Sequence, residues 1–335
     1  MSDCSRRAFE VPETKRTERK RMLYKSKVEY MSGEGVYTMN HILGCSHGCL
    51  YPCYAFTSAK RYGQVDSYAE WCRPVAVGNA LALLERDLSA KRKEPVERVH
   101  LCFTTDPFMY QKDDLCELTL QCIELINSYG VPVTTLTKGM YPFEWDPDLL
   151  IFKGHPDNEY GITFTTVSEA FRKDWEPHAA PWYERFAACE LMHLRGVKTW
   201  ASLEPFPALS RRGTDPTDKE LSDDPLSALQ AVLANCVHMD RVVFGRWNYN
   251  PTMPSDVDDV KEWYAMAAER VRKWGETFGV ETIIKNGTED DPKGRQNAKK
   301  SRETALKRTS EKSGRKSLFE RGKRGAEAAA RILEK

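Results

Sequence analysis

Three cysteines lie within nine residues of this chain, directly after its first predicted strand. The segment from Gly44 to Cys53 reads GCSHGCLYPC and contains Cys45, Cys49 and Cys53. Three thiolates so close in sequence can converge on one metal centre only if the loop wraps around it. The glycines and Pro52 suit such a turn. Because the C-terminal ends of parallel strands carry the chemistry of β/α folds, the spacing predicts a metal centre at that edge of a sheet.

The three cysteines are compatible with two kinds of metal centre. In a [4Fe–4S] cluster, three cysteine ligands leave one iron without a protein ligand, and a substrate or cofactor can bind there. A structural zinc site instead closes with four ligands, and His47 is near enough in sequence to be the fourth. The loop by itself leaves both alternatives open.

Composition predicts a protein that is not built on disulfide bonds. The chain has 335 residues and ten cysteines, and its N-terminus is polar and basic without the apolar core of a secretory signal. No apolar run is long enough for a membrane span. We therefore expect a cytoplasmic protein with no membrane partner. Cysteines outside the loop are expected to be small buried hydrophobes, namely Cys116, Cys122, Cys189 and Cys236.

The formal net charge of +1 conceals a segregation of charge along the chain. Residues 1–28 hold nine Lys and Arg against four Asp and Glu, a net charge of +5. Residues 293–335 hold 15 against five, a net charge of +10. Basic arms of this kind can bind a polyanion, which predicts DNA or RNA as a partner. They can equally be solvated termini without a partner.

Short β-rich runs alternate with amphipathic helical segments through the middle of the chain. Repeated β-α alternation predicts a parallel sheet with right-handed crossovers, here a partial (β/α)6-type barrel. The predicted strands are residues 37–43, 99–103, 131–136, 160–166, 197–203 and 240–245, with a seventh at 280–285. The predicted helices are residues 75–88, 115–129, 148–153, 180–195, 225–236 and 256–278. Gly196 is predicted to end the fourth of these helices.

The predicted organisation has three parts. Residues 1–30 form a basic N-terminal arm, and residues 31–287 form the partial barrel. Residues 288–335 form a basic tail that is largely disordered or helical, with residues 318–333 as its candidate helix.

The segment from Tyr37 through Cys49, ending in Cys53-Tyr54-Ala55, resembles the cluster loop of the radical S-adenosylmethionine (SAM) superfamily. It is most similar to the branch related to spore photoproduct lyase. Further matches follow in the family's order and cover residues 37–207. They are Thr104-Thr105-Asp106-Pro107, Thr137-Lys138, Thr165-Thr166, Glu176-Pro177-His178-Ala179-Ala180-Pro181 with Arg185, and Glu204-Pro205-Phe206-Pro207.

This resemblance implies a [4Fe–4S] cluster and SAM as cofactors, with Cys45, Cys49 and Cys53 as cluster ligands. It also implies a role for each matched residue. Thr105 and Asp106 would accept hydrogen bonds from the SAM ammonium, and Lys138 would pair with the SAM carboxylate. Thr165 or Thr166 would bind the ribose, and Tyr51 would contact adenine. Glu176 and Arg185 would form an ion pair or reach the cofactor.

The cysteine spacing departs from the superfamily pattern. The usual spacing is C-x3-C-x2-C, whereas this chain has C-x3-C-x3-C. The aromatic residue that normally precedes the third cysteine is displaced to Tyr51. The assignment of Tyr51 to the adenine ring depends on this displacement.

Cys102 is the candidate hydrogen donor, because spore photoproduct lyase uses a cysteine near the end of its second strand. The separation in sequence between Cys102 and Asp106 is one residue longer than the hydrogen-donor role requires. One step along a strand turns a side chain to the opposite face. The spacing therefore favours Cys102 as a core residue.

The resemblance implies reductive cleavage of SAM to a 5′-deoxyadenosyl radical, which abstracts hydrogen from a substrate. An electron donor such as flavodoxin or ferredoxin is expected. The substrate is predicted to be nucleic acid, repaired or modified in a lyase-like reaction, and Arg246, Trp247 and Tyr249 could contact a base or close the barrel as packing. The alternatives are a radical enzyme that acts on a peptide or small molecule, and a non-catalytic, zinc-stabilised nucleic-acid-binding protein.

Overall fold

The computed structural model describes residues 17–28, 31–51, 53–142, 154–208, 226–248 and 257–289. Several sequence predictions lie outside these ranges. They are the helices at 148–153 and 318–333, the barrel-mouth residue Tyr249, most of the basic N-terminal arm up to residue 16, and nearly all of the basic tail.

The described ranges contain ten strands, most of them in one sheet. In chain order they are β1 (Tyr24–Lys25), β2 (Val36–Met39), β3 (Ile42–Leu43), β4 (Val75–Ala76), β5 (Arg98–Leu101), β6 (Val133–Thr137), β7 (Glu159–Thr163), β8 (Lys198–Phe206), β9 (Arg241–Arg246) and β10 (Glu281–Ile284).

The main sheet has eight strands in the order β1-β2-β5-β6-β7-β8-β9-β10. Every neighbouring pair from β2 to β10 is parallel, and β1 adds an antiparallel edge strand. The predicted partial β/α barrel is therefore confirmed, including its seventh parallel strand. No helix in the described ranges is long and apolar enough to cross a membrane.

The α-helices of the described ranges connect these strands. They are α1 (Tyr54–Arg61), α2 (Tyr68–Trp71), α3 (Ala80–Ser89), α4 (Asp113–Ser128), α5 (Glu169–Trp175), α6 (Trp182–Leu194), α7 (Ser227–Asn235) and α8 (Val257–Phe278). Helices α1, α2 and α5, which are short, were not predicted from the sequence. Gly196 has a positive φ of 80° just past α6, and its N–H bonds to the carbonyl of His193, as predicted for a helix end.

The first predicted strand is wrong in its second half. The chain leaves the main sheet after Met39, and Ile42–Leu43 pairs instead with Val75–Ala76 in a separate antiparallel ribbon. The start of the helix predicted at 75–88 is thus a strand, and α3 begins only at Ala80. The cysteine loop therefore follows this ribbon and not a strand of the main sheet.

Two further strand ends differ from prediction. The strand predicted at 99–103 ends at Leu101, because Cys102 has a φ of 58° and cannot continue a strand. The strand predicted at 160–166 ends at Thr163, so Thr165 and Thr166 follow the strand rather than lie in it. Strand β8 is longer than predicted and reaches Phe206.

The sheet buries both of its faces. Val242 and Phe244 of β9 belong to the large core shared with the helices, whereas Val243 between them packs with Trp200 and Met31. Successive side chains of a strand point to opposite faces, so this second cluster fills the inside of the barrel. Trp200 lies against Gly161, where any Cβ atom would come within 2.2 Å of the indole ring.

Candidate active site

The cysteine loop runs from the end of β3 to the start of α1. Gly44 opens it with a φ of 89°, and a Cβ atom there would come within 2.6 Å of the Trp71 carbonyl, so only glycine fits. The Cys45 N–H bonds to that same carbonyl at 2.9 Å. Cys53 is the N-cap residue of α1. The loop is thus held at both ends by the elements that flank it.

A second segment holds the middle of the loop. The Leu50 N–H bonds to the carbonyl of Trp175 at 2.9 Å, and the His178 N–H bonds to the carbonyl of His47 at 3.1 Å. These backbone contacts fix the loop against the turn that follows α5. The Tyr68 hydroxyl of α2 also donates to the loop, at the carbonyl of Cys49.

Cys45, Cys49 and Cys53 are half-buried and form no disulfide. Burial raises the pKa of Cys49 to about 12. The pKa of Cys45 lies well above its usual range because of burial, the Asp106 carboxylate and Cys49, with a smaller effect of Cys53. A metal bound by Cys45 and Cys49 would therefore have to displace their protons.

The candidate donor set is three cysteine thiols, the ligands that a [4Fe–4S] cluster takes from a protein. Within the described ranges, no three Cys, His, Asp or Glu side chains are grouped closely enough to hold one ion. A cubane cluster takes one cysteine on each iron, so its ligands need not meet at one point. Three free thiols on one loop fit that requirement in number and chemistry.

His47, the candidate fourth zinc ligand, is buried. Its Nε2 accepts a hydrogen bond from the Tyr110 N–H at 3.2 Å, so the ring proton is on Nδ1, which lies 3.5 Å from Asp106 Oδ2. Burial lowers the pKa of His47 to about 4, so the ring is neutral at pH 7. Both ring nitrogens are engaged by the protein.

Asp106 links the ends of two strands. Its carboxylate accepts hydrogen bonds from the Phe108 N–H at 3.0 Å, the Thr137 hydroxyl at 2.6 Å and the Lys138 N–H at 2.8 Å. The structure therefore gives Asp106 a positioning task between the β5 and β6 ends. Its predicted contact with the SAM ammonium stays a prediction.

The three candidate threonines lie in different surroundings. The Thr105 hydroxyl donates to the carbonyl of Gly44, which ties the β5 end to the cysteine loop. Thr166 accepts a hydrogen bond from the Ser168 N–H at 2.9 Å and caps the turn before α5. Thr165 is buried. The ribose contact predicted for Thr165 or Thr166 stays a prediction.

Glu176 is the centre of a buried polar network. Its carboxylate accepts hydrogen bonds from the Tyr51 hydroxyl at 2.5 Å and the Arg185 guanidinium at 2.7 Å, and Lys138 Nζ lies 3.5 Å away. Burial alone would raise the pKa of Glu176, but Arg185 and Lys138 together lower it to about 2. The carboxylate is thus ionised at neutral pH.

Arg185 uses each of its guanidinium nitrogens. Besides Glu176, it donates to the carbonyl of Ala180 at 2.8 Å and to the carbonyl of Thr163 at 3.0 Å. The side chain is only 2% exposed. It therefore joins the end of β7 to the start of α6 and to Glu176, and the predicted Glu176–Arg185 ion pair is present.

An aromatic group covers this network on the barrel side. The Tyr51 ring meets the Trp247 ring edge-on with centroids 5.6 Å apart, and Trp175 meets Trp247 at 4.8 Å. Lys138 Nζ lies over the Tyr51 ring at 5.4 Å. Trp247 is 3% exposed, and its indole Nε1 has no hydrogen-bond partner among the described residues.

Sequence reasoning missed two residues of this site. Arg172 donates to the carbonyls of Glu176, Pro177 and Ala179, at 2.9, 3.3 and 3.0 Å. It therefore shapes the turn that presents Glu176. Trp175 contacts the loop through its carbonyl and Trp247 through its ring. Their position immediately before the Glu-Pro match was the available signal.

Cys102 lies away from this network. It is 1% exposed, and its Sγ lies 3.4 Å from His41 Nδ1, whose Nε2 lies 2.8 Å from the Thr119 hydroxyl on α4. The thiol thus faces the layer between sheet and helix, where burial raises its pKa to about 12. This placement gives no support to the hydrogen-donor role.

Five of the predicted cofactor residues therefore form one connected network. Asp106 holds the backbone of Lys138, and the Lys138 ammonium lies beside Glu176, which binds both Tyr51 and Arg185.

The three threonines stand apart from this network. Thr105 reaches the cysteine loop through Gly44 instead. The only side-chain hydrogen bond that the described ranges show for Thr165 and Thr166 is the one from the Ser168 N–H to Thr166.

Comparisons with known proteins agree with this architecture. No protein-family model matches the chain, and no curated protein matches it. Two solved structures of spore photoproduct lyase variants match, each over 78% of both chains with a TM-score of 0.51, at 15% and 16% identity. The first of them contains bound AdoMet and dinucleoside spore photoproduct. The chain therefore has the partial barrel fold of spore photoproduct lyase, as its sequence resemblance predicts.

Proposed function

We propose that this chain is a radical SAM enzyme that acts on nucleic acid. The observation that carries the proposal is the buried network of Tyr51, Asp106, Lys138, Glu176 and Arg185, which lies directly against the cysteine loop. It occupies the C-terminal ends of the parallel strands, where β/α folds carry their chemistry. A bound [4Fe–4S] cluster would supply the electron that cleaves SAM into methionine and a 5′-deoxyadenosyl radical.

The residues of the network have complementary tasks in this proposal. Cys45, Cys49 and Cys53 would hold the cluster. Lys138 is the most exposed charged member of the network, with 15% of its side chain accessible. It would pair with the SAM carboxylate. Glu176 holds the Lys138 ammonium in place before the cofactor binds.

The aromatic group supports binding of a polar ligand on the barrel side. The Trp247 indole N–H is buried without a partner among the described residues, and a ligand oxygen or nitrogen can accept its hydrogen bond. The surrounding rings exclude water, which protects a radical from side reactions.

Two observations support nucleic acid as the substrate. The sequence carries basic segments at both ends, with net charges of +5 and +10. The similar lyase structure contains a dinucleoside spore photoproduct. A peptide or small-molecule substrate is the alternative, and it predicts that deletion of residues 293–335 leaves turnover intact.

The zinc alternative requires His47 as a fourth ligand. His47 Nε2 is already an acceptor for the Tyr110 N–H, and Nδ1 faces Asp106, so the ring would have to leave two partners. The iron-based proposal requires no such rearrangement.

The test is SAM cleavage by the anaerobically reconstituted full-length protein. After reduction with dithionite and addition of SAM, 5′-deoxyadenosine is quantified by chromatography. We expect the nucleoside from the native protein and from Cys116→Ala, a control with a half-buried cysteine outside the loop. Cys53→Ala should produce none. Nucleoside formation by Cys53→Ala, or a protein that retains zinc and no iron, would contradict the proposal.

A further inference from the structure

An ion pair lies at the C-terminal end of the sheet, outside the buried network around Glu176. Lys285 Nζ lies 2.6 Å from each carboxylate oxygen of Glu204, so the ammonium contacts both oxygens. Glu204 belongs to β8, and Lys285 directly follows β10. The Lys285 N–H bonds to the carbonyl of Phe244 at 2.9 Å, which continues the pairing of β10 with β9. The ion pair therefore spans the last three strands of the sheet.

The alternation of side chains along the strands places this pair on the inner face of the barrel. Trp200, Val243 and Ile283 pack together in the cluster that fills the barrel. Glu204 follows Trp200 by four residues, and Lys285 follows Ile283 by two. Both side chains therefore point to the same face as the apolar cluster, one layer closer to the C-terminal ends of the strands.

Gly245 of β9 leaves room for the pair to form. A Cβ atom at Gly245 would come within 3.0 Å of Cγ and Cδ of Glu204. The Glu204 side chain thus lies directly over the glycine as it reaches from β8 towards Lys285. A glycine inside a strand often marks such a close approach.

The pair is accessible from outside the protein. The side chains of Lys285 and Glu204 are 26% and 24% exposed, whereas those of Arg185 and Glu176 are 2% and 3% exposed. Ion pairs that water reaches contribute little to stability. A ligand can reach the Glu204–Lys285 pair without unfolding any part of the sheet.

Trp247 connects the pair to the candidate cofactor network. It follows Gly245 by two residues, and its ring meets the Tyr51 ring with centroids 5.6 Å apart. Lys138 of the network follows β6, whereas the ion pair belongs to β8 and β10. A ligand at the pair and a cofactor at Lys138 would therefore occupy different parts of the same edge of the sheet.

The pair presents a hydrogen-bond acceptor beside a donor. A carboxylate only accepts and an ammonium only donates, so a complementary ligand has an N–H next to a C=O on one edge. Guanine, thymine and uracil have such a lactam edge, whereas cytosine and adenine do not. The N–H and C=O of a trans backbone amide point in opposite directions. A phosphate offers acceptors alone, and its charge is repelled by the carboxylate.

We propose that Glu204 and Lys285 bind the lactam edge of a guanine, thymine or uracil base in a single-stranded nucleic acid. Glu204 accepts the base N–H, and Lys285 donates to the neighbouring carbonyl. The choice of a nucleic acid rests on the proposed function. Enzymes that act on a base commonly read its Watson–Crick edge in this way. The pair thus selects the base that enters the barrel.

The experiment measures binding of five-nucleotide single strands to the full-length protein by fluorescence anisotropy. The strands consist of cytosine with a central guanine, thymine, cytosine or N3-methylthymine. The last of these keeps both carbonyls of thymine but lacks its N–H. The variant is Glu204→Leu/Lys285→Met, which removes the pair without leaving an unpaired charge. The matched control is Asp157→Leu/Lys198→Met, which removes an exposed pair near the starts of β7 and β8.

We expect the native protein to bind the guanine and thymine strands about tenfold more tightly than the cytosine and N3-methylthymine strands. The Glu204→Leu/Lys285→Met variant should bind all four strands as weakly as the native protein binds cytosine, and the control should keep the native preference. Equal Kd values for the native protein, or a preference that the variant retains, would overturn the inference.

Two further results separate this inference from its alternatives. Binding of a Gly-Gly-Gln-Gly-Gly peptide that depends on the pair, without discrimination among the strands, would assign the pair to a side-chain amide and overturn the inference. Native protein that forms 5′-deoxyadenosine but binds all four strands equally would overturn the base site alone. A base preference that depends on the pair, in a protein that forms no 5′-deoxyadenosine, would support the base site and refute the radical chemistry.

Discussion

The Tyr51 hydroxyl donates a 2.5 Å hydrogen bond to Glu176 Oε1, and this contact joins the cysteine loop to a turn 125 residues later in the chain. Tyr51 is the residue that the extra position between Cys49 and Cys53 displaces from the usual aromatic site. Its side chain anchors the loop to the buried network. The hydrogen bond from Tyr51 to Glu176 therefore accommodates the longer spacing between Cys49 and Cys53.

Removal of the Tyr51 hydroxyl should destabilise the protein. In Tyr51→Phe the Glu176 carboxylate loses one buried partner, which should lower the free energy of unfolding by about 1.5–3 kcal/mol. Denaturant unfolding measures the change. Tyr62→Phe, at an exposed position, should change it by less than about 0.5 kcal/mol. Equal effects of the two variants would contradict the anchoring role.

Loss of the Arg185 charge should have a larger effect. Arg185→Met leaves the buried Glu176 carboxylate without its closest cation and should cost about 3–5 kcal/mol. In contrast, Asp157→Asn breaks an exposed pair with Lys198 and should cost at most about 1 kcal/mol. Thermal or denaturant unfolding compares the two. A small effect of Arg185→Met would show that the network is not a structural unit.

Stability should fall in mild acid because of buried histidines. Burial lowers the pKa of His100 to about 4 from an ordinary value of 6.5, so the unfolded chain takes up a proton first. The contribution of His100 is present above pH 6.5 and is lost as pH falls towards 4, by about 3 kcal/mol at most. His100→Gln should flatten the pH dependence of the free energy of unfolding between these values. An unchanged slope would contradict the assignment.

Gly161 should not tolerate a side chain. In Gly161→Ala the new Cβ would come within 2.2 Å of the Trp200 ring, and the overpacking should cost about 1–3 kcal/mol. At Gly33 the nearest atom is 3.5 Å away, so Gly33→Ala should be close to neutral. Denaturant midpoints of the two variants make the comparison. Equal stability would mean that Trp200 moves without cost.

The parallel strands were predictable because β-rich runs alternate regularly with amphipathic helices. The prediction failed where the pairing of two very short strands decided the structure. Residues 42–43 and 75–76 form a ribbon whose partners are far apart in sequence, and no periodicity marks such short strands. Likewise, Cys102 ends β5 by its backbone conformation, which residue type does not reveal.

Of the contacts within the buried network, only the Glu176–Arg185 ion pair was predicted from the sequence. The cofactor roles of these residues stay predictions. The resemblance selected Tyr51, Asp106, Lys138, Glu176 and Arg185, and these residues do form one network. It did not indicate that Asp106 holds the Lys138 backbone or that Tyr51 binds Glu176, because these contacts depend on tertiary placement. Arg172 of α5, which binds three backbone carbonyls, was missed because its position shortly before the Glu-Pro match is its only sequence signal.

Electron paramagnetic resonance of the reduced, cluster-loaded protein, with and without SAM, tests most directly whether the chain binds SAM at a [4Fe–4S] cluster. We expect an iron–sulfur signal that changes when SAM is added, because SAM would bind the iron left open by Cys45, Cys49 and Cys53. Cys49→Ala should lose the signal. A signal that SAM leaves unchanged, or a protein that binds zinc in place of iron, would contradict the proposed radical SAM function.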